Sequence, residues 1–380
     1  MADPMLCALQ RAVNLAEGIP ALESYLVTLW LSGPLPLREL AARLELPVPL
    51  AGAIKHELKS RGLAESRGGV RLTGPGEAFV LDHLGYRGVR RELLATLISA
   101  ADPLPLLAPQ MEILEAICRT RPDADTTLDQ AKCTPATSMR RAVLCLRAGA
   151  LIGKQVVCLG DDDMTGAALA LLLQALYHPG KSPCGTVTSL DVDARVLQHI
   201  DRTARRYRLA LNPRCHDLRD PLPGSLLGRF DGAFTDPPYT LPGASLFLRR
   251  ACQVLGGICL PLFFSMGARA PDFSLRLQRI YCHLGLVASR IYPGFNQYEG
   301  AQLLAGRSTM HLLRTAALPV PASDARFEGP LYTGEVRNRR HVYRCLSCGA
   351  PLPPEPLTPS TCPRCGARRL ALQHAPKPLY

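Results

Sequence analysis

Apolar residues recur at helical spacing through the first third of the chain. They predict helices over Tyr25 to Trp30, Pro36 to Leu44 and Leu50 to Arg61, followed by two short extended pieces, Leu63 to Ser66 and Gly69 to Thr73, around a glycine turn. Arg87 to Gly149 keeps the helical period, with turn signals at Pro103 to Pro109 and Pro122 to Asp125. From Lys154 the period changes. Short apolar runs at Gln155 to Leu159, Val187 to Asp191, Leu209 to Leu211, Gly232 to Thr235, Ile258 to Phe264, Leu286 to Ile291 and Met310 to Arg314 read as strands, with amphipathic helices at Ala167 to Tyr177 and Ala194 to Tyr207. That alternation predicts a parallel, helix-covered α/β sheet, which binds ligands at the carboxyl ends of its strands.

The pattern divides the chain into a winged-helix-like unit (1–86), a helical connector packed on the core (87–150), a Rossmann-like, methyltransferase-type catalytic domain (151–317), a proline-rich linker (318–340) and a cysteine module (341–372). Lys55, Lys59 and Arg61 make the first unit either a DNA reader or a scaffold and dimerisation element; the scaffold reading is preferred, because fold alone does not specify function. In the last module Cys345 and Cys348, then Cys362 and Cys365, form two CxxC turns, each presenting two thiolates to one ion. A structural zinc ribbon follows. All four positions are filled by protein, so that metal has no open coordination site for catalysis.

Composition narrows the classes further. With 47% hydrophobic and 20% charged residues and no apolar run long enough to span a bilayer, the chain reads as soluble rather than membrane-inserted. Its first twenty residues lack the order of a signal peptide, and ten cysteines lie scattered singly, so a reducing cytoplasm is expected. The net charge of +12 raises the question of nucleic acid, but arginine is spread along the whole chain instead of gathered in a block.

Three places carry chemistry. Where nucleotide-binding α/β folds put a glycine-rich turn, this chain has Gly160 followed by Asp161, Asp162 and Asp163, three adjacent acids that require a cationic partner. At the next strand end Asp191 is placed to accept the two ribose hydroxyls of an adenosine ligand, and after the third strand Asp217 is placed to accept an adenine amino group. After the fourth strand, Asp236-Pro-Pro-Tyr239 fixes a carboxylate and an aromatic ring in a rigid turn suited to gripping an amine. Amino-group methyltransferases use a similar turn on the exocyclic nitrogen of a base, so an adenosylmethionine-dependent methyltransferase acting on nucleic acid is the rival reading; a DNA-binding polyamine sensor is a second. The acidic triplet argues against the methyltransferase. One like-charge contact with the carboxylate of adenosylmethionine, at about 4 Å and an effective dielectric near 20, costs roughly 4 kcal/mol. A decarboxylated donor removes that contact, and a polyamine turns the same acids into an attractive site.

Gly160 to Asp163 together with Thr235 to Tyr239 resembles the branched-chain polyamine synthases, also called N4-bis(aminopropyl)spermidine synthases. The likeness runs from Asp129-Gln130 through Arg140-Arg141, Gly149 and Gly153-Lys154 to Asn296 through Gly300. It implies a cytoplasmic, homodimeric enzyme that passes two aminopropyl groups in succession from decarboxylated S-adenosylmethionine to the central amine of spermidine, releasing methylthioadenosine each time. Gln130 would then border the donor, Asp161 would bind its ammonium, Asp162 or Asp163 with Asp236 would hold the attacking nitrogen and take its proton, and Tyr239 would pack against it. The cysteine module departs from the family pattern, in which a flexible tail helps select the acceptor.

Overall fold

In β3 (Gln155–Leu159) alternate side chains enter two different apolar clusters, Val156 and Cys158 on one face, Val157 and Leu159 on the other. A strand buried on both faces must sit in the middle of a sheet. The computed structural model, which describes residues 3–267, 269–299, 306–317, 325–338, 341–352, 361–362, 364–368 and 370–374, places it there. Seven strands are ordered β5-β4-β3-β6-β7-β9-β8. They are β3, β4 (Thr186–Asp191), β5 (Leu211–Cys215), β6 (Gly232–Thr235), β7 (Pro261–Met266), β8 (Leu286–Gln297) and β9 (Arg307–Thr315).

β3 to β7 are parallel, but β9 runs antiparallel between β7 and β8. The sheet is therefore mixed, which corrects the expectation of a parallel one. The connection from Gln297 to Arg307 is shorter than the dozen residues a parallel crossover needs, so β9 can only return alongside β8 in the opposite sense. Residues after β3 cross to β4 on one side, and the later chain fills the other side from β6 onward. That reversal opens a crevice at the carboxyl ends of β3, β4 and β6.

Helices α9 (Thr165–Ala175) and α10 (Ala194–Tyr207) connect the first strands; α11 (Leu241–Val254) and α12 (Pro271–His283) connect the later ones. Before the sheet come α1 (Pro4–Ala12), α2 (Gly18–Ser32), α3 (Leu37–Arg43), α4 (Val48–Ser60), an antiparallel pair β1 (Ala64–Ser66) and β2 (Val70–Leu72), then α5 (Gly74–Asp82), α6 (Arg91–Ser99), α7 (Ala108–Arg119) and α8 (Pro135–Arg147). One continuous apolar cluster joins Tyr25 and Leu29 of α2 to Leu146 of α8 and Leu169 of α9, crossing the positions 86 and 150 at which the pattern was divided. Each such buried side chain contributes about 1.5–3 kcal/mol to the joint. A Lys154–Glu23 ion pair at 2.6 Å pins α2 to the turn ahead of β3. After the sheet, α13 (Thr333–Asn338) leads to a three-stranded antiparallel sheet of β10 (His341–Cys345), β11 (Pro351–Leu352) and β12 (Leu370–His374). Residues 318–324 and 339–340 of the expected linker, and Gly300 of the motif, lie outside the described residues.

Candidate active site

The turn after β3 begins with Gly160 at φ +75°, a left-handed conformation that a side chain strains. It folds Asp161 inward. Both Asp161 oxygens accept the Gly166 N–H, at 3.0 and 3.1 Å, and Oδ2 also accepts the Ser189 hydroxyl. A Cβ on residue 166 would sit 2.5 Å from Asp161 Oδ2 and from Ser189 Oγ, so only glycine fits the first turn of α9. Asp161 is buried, and burial pushes its carboxyl up to about 7. It is not among the residues lining the crevice, and its carboxylate clips the turn to β4.

Asp163 turns to the opposite side, where Oδ1 accepts the Cys133 N–H at 2.8 Å and Oδ2 accepts Arg141 Nη1 at 2.7 Å. Arg141 comes from α8, and its side chain is only 3% exposed. The rest of its guanidinium donates to Asp236 Oδ2 at 2.7 Å, Ser265 Oγ at 3.1 Å, Thr165 Oγ1 at 3.2 Å and Asn296 Oδ1 at 2.9 Å. Asp236 Oδ2 also accepts the Tyr298 hydroxyl at 2.6 Å, and that hydroxyl lies 2.9 Å from those of Tyr239 and Ser308. Asp236 thus has one oxygen anchored by two donors. The chain itself supplies a cation to the acidic cluster, a partner that sequence reasoning expected only from a ligand. The signal was there in α8: an arginine flanked by residues of a buried face cannot remain unpaired.

Asp162 projects into the crevice and makes no hydrogen bond to a described residue. Burial, then the charges of Asp163, Asp191, Asp236 and Asp161, push its carboxyl well above the ordinary carboxylate range. Burial likewise raises Asp236, against the pull of Arg141 and Tyr298. The crevice holds about 650 Å³ and is bordered by seven carboxylates, Asp129, Asp162, Asp163, Asp191, Asp217, Asp236 and Glu299, against two cations, Lys132 and Arg269.

The other expected residues gather around the same cavity with different degrees of freedom. Asp191, at the end of β4, accepts the N–H groups of Asp161 and Asp193 at 2.9 and 2.8 Å, leaving one lone pair on each oxygen. Gln130 borders the cavity while its amide is held between the Asp125 N–H at 2.7 Å and Asp193 at 3.3 Å. Asp217 is tied by Arg326 at 2.8 Å, part of a strap that sequence reasoning treated as linker. The strap continues through Leu331, whose carbonyl accepts the Thr240 hydroxyl at 2.7 Å, and Thr333, whose N–H donates to Asp129 at 2.6 Å, to Glu335, paired with Arg219 at 2.6 Å. Tyr239 faces the cavity with Arg269 stacked at 5.8 Å from its ring centre. In the last module the thiols of Cys345 and Cys365 are 3.5 Å apart, those of Cys348 and Cys362 are 3.8 Å apart, and all four lie within 4.8 Å.

A profile of the branched-chain polyamine synthase A C-terminal domain matches residues 110–319, the span that contains every one of these crevice carboxylates. The chain belongs to that family. An uncharacterized protein of Methanocaldococcus jannaschii is 30% identical over 343 residues, covering 89% of this chain and 84% of its own length. The N(4)-bis(aminopropyl)spermidine synthase of Thermus thermophilus is 34% identical over 190 residues, 48% of this chain and 52% of the relative, so this match spans about half of that synthase. The crystal structure of the branched-chain polyamine synthase from Thermus thermophilus, in complex with N4-aminopropylspermidine and 5'-methylthioadenosine, superposes with a TM-score of 0.52 at 25% identity, covering 88% of this chain and 99% of that one. Branched-chain polyamine synthases thus share the α/β frame on which this crevice is built. No described helix is long and apolar enough to cross a membrane.

Proposed function

We propose that this protein transfers aminopropyl groups from decarboxylated S-adenosylmethionine to the secondary amine of spermidine, twice, giving N4-bis(aminopropyl)spermidine and 5'-methylthioadenosine. The observation that carries this reading is the charge of the crevice: seven carboxylates line it, and the five cations that line it or pair with them, Lys132, Arg269, Arg141, Arg121 and Arg326, leave it negative inside a protein whose net charge is +12. Such a pocket attracts a polycation and a donor without a carboxylate, and repels adenosylmethionine.

In the reaction a neutral amine attacks the methylene beside the sulfonium. The new C–N bond forms as the C–S bond breaks, and its electron pair stays on sulfur in neutral methylthioadenosine. No covalent enzyme intermediate is needed; positioning and removal of charge do the work. Asp236, anchored through Oδ2, offers Oδ1 to an N–H of the acceptor. Asp191 would accept the ribose hydroxyls, Asp217 the adenine amino group with Gln130 bordering the donor, and Tyr239 would pack against the amine; all four line the crevice. The four thiols fit a structural zinc: tetrahedral arms of about 2.3 Å put sulfurs about 3.8 Å apart. The helices and hairpin ahead of the sheet serve as scaffold, their apolar faces being spent on the core.

The test is incubation with spermidine and either donor, followed by mass spectrometry. Methylthioadenosine and heavier polyamines are expected with the decarboxylated donor only, and Asp236→Asn should lower the rate by about 10²–10⁴. Methyl transfer from adenosylmethionine would establish the rival instead.

A further inference from the structure

Arginine is spread through the helices and the sheet, but it gathers beyond the strap. Residues 337–380 hold seven arginines and one lysine against a single glutamate, so this stretch carries +7 of the total +12 and leaves +5 for the 336 residues ahead of it. We propose that the four-cysteine module in this stretch is a nucleic-acid-binding surface, which grips the phosphate backbone of RNA or DNA without reading its sequence. The proposal stands apart from the transfer reaction, and either can fail alone.

Charge becomes a surface only where the fold fixes it. The thiols of Cys345 and Cys365 are 3.5 Å apart, and Arg344 and Arg364 each stand one residue from one of them. The Cys362 N–H donates to the Ala367 carbonyl at 2.8 Å, and Arg368 follows directly in the chain. In the sheet Arg344 pairs with Ala371 of β12, a neighbour too small to cover it. Three arginines are thereby held around one centre, and all three are exposed. Among the described residues none of them makes an ion pair or a side-chain hydrogen bond. Earlier in the chain Arg141, Arg219 and Arg326 each hold a carboxylate. A guanidinium with no carboxylate to hold presents five donors in a planar fork that matches phosphate oxygens. Four thiolates on one divalent metal would subtract two charges from the stretch, and +5 would remain.

The residues at the two CxxC turns also say what is not read. Leu346 and Ser347 fill the first turn, Pro363 and Arg364 the second, so neither offers the amide that pairs with a base edge or the aromatic ring that stacks on one. Contacts to phosphate alone carry no sequence information. A membrane surface fits less well, because interfacial binding needs an apolar face beside the basic one, and Leu346 is the one large apolar side chain described as exposed in the module. The crevice repels the same polyanion through its carboxylates, so a nucleic acid held at the module leaves the crevice open to amines.

The experiment follows the fluorescence anisotropy of short duplex DNA, duplex RNA and single strands of unrelated sequence, with phosphatidylserine vesicles in parallel, as the zinc-loaded full chain is added at about 50–200 mM salt. Oligonucleotides of different sequence should bind alike, with a dissociation constant on the order of 10⁻⁶–10⁻⁵ M near 0.1 M salt. Arg344→Glu, Arg364→Glu and Arg368→Glu together should weaken binding at least about tenfold and flatten the slope of log affinity against log salt by about 3, one for each lost phosphate contact. Arg→Lys at the same three positions keeps the charge and should stay within about threefold of wild type. Lys55→Glu, Lys59→Glu and Arg61→Glu together change the net charge equally on α4, and should also stay within about threefold, because distant charges are screened. Equal weakening by the two glutamate sets, or a greater loss from the α4 set, overturns the proposal, since binding would then follow net charge or the winged-helix-like unit. Capture of vesicles but not of oligonucleotides overturns it too, as does a wild-type chain that binds no oligonucleotide. If the triple glutamate variant of the module melts well below wild type, the three single variants decide: each should flatten the slope by about 1, and an unchanged slope in all three overturns the assignment.

Discussion

Asp162 and Asp163 are adjacent in the chain, yet replacing them should change stability in opposite directions. Removing Asp163 as Asp163→Ala takes away one of the two carboxylates that neutralise a guanidinium 3% exposed, and the acceptor of the Cys133 N–H. Breaking a buried pair costs about 3–5 kcal/mol; because Asp236 still pairs with Arg141 at 2.7 Å, the loss should sit near 3 kcal/mol. Asp162→Asn removes a carboxylate that burial and four neighbouring acids oppose, and should gain on the order of 1 kcal/mol. At roughly 2 °C per kcal/mol in a chain of this size, the apo variants should melt about 6 °C below and about 2 °C above wild type. The pH dependence adds a second check. Asp162 is raised above its unfolded value of 3.8, so between that pH and its folded value the native state binds more protons than the unfolded state, and stability falls as pH rises through the window. Asp161, raised to about 7, acts in the same sense. The advantage of Asp162→Asn over wild type should therefore widen from acidic to neutral pH. Thermal melts of apo protein at several pH values read both effects. If Asp162→Asn melts below wild type near neutrality, or its advantage shrinks as pH rises, the reasoning about unpaired charge is wrong.

Two further outcomes test the surroundings of the site. Gly166→Ala forces a methyl group to 2.5 Å from Asp161 Oδ2 and Ser189 Oγ, and should destabilise by about 1–3 kcal/mol in urea unfolding; wild-type stability would show that Asp161 does not clip the turn. Elemental analysis should find one zinc per chain, lost in Cys348→Ser with Cys362→Ser, while methylthioadenosine formation continues; a metal-free wild type would refute the ribbon.

The strands were legible because burial on both faces leaves apolar runs, as in Val156 to Leu159, and the acids were legible because their strand ends name the crevice. Strand direction was not. Residues 310 to 314 show the same alternation whichever way they run, and only the short return from β8 makes β9 antiparallel. Within the triplet, adjacency hid three different fates. A residue-by-residue reading cannot tell that the φ of Gly160 turns Asp161 toward Ser189 on another strand, or that Asp163 turns toward α8. Arg141 stands in the Arg140-Arg141 pair of the family likeness, but which side of its helix faces the sheet is decided by packing against β8 and α9, and that information is tertiary.

A buried arginine among acids is an expensive way to build a cation site, since an apolar side chain would satisfy packing and leave the acids more attractive to amines. Its presence makes sense once release is considered. Each transfer adds one ammonium group to the acceptor while the sulfonium of the donor becomes a neutral thioether, so the product is always more cationic than the substrate. In a crevice with every carboxylate free, that extra charge would bind the product progressively tighter and slow its departure. On the proposed reading, the pairing of Arg141 with Asp163 and Asp236 takes two carboxylates out of the competition for the product. The pocket then remains negative enough to gather a polycation, but its attraction is capped, so a more highly charged product can still leave.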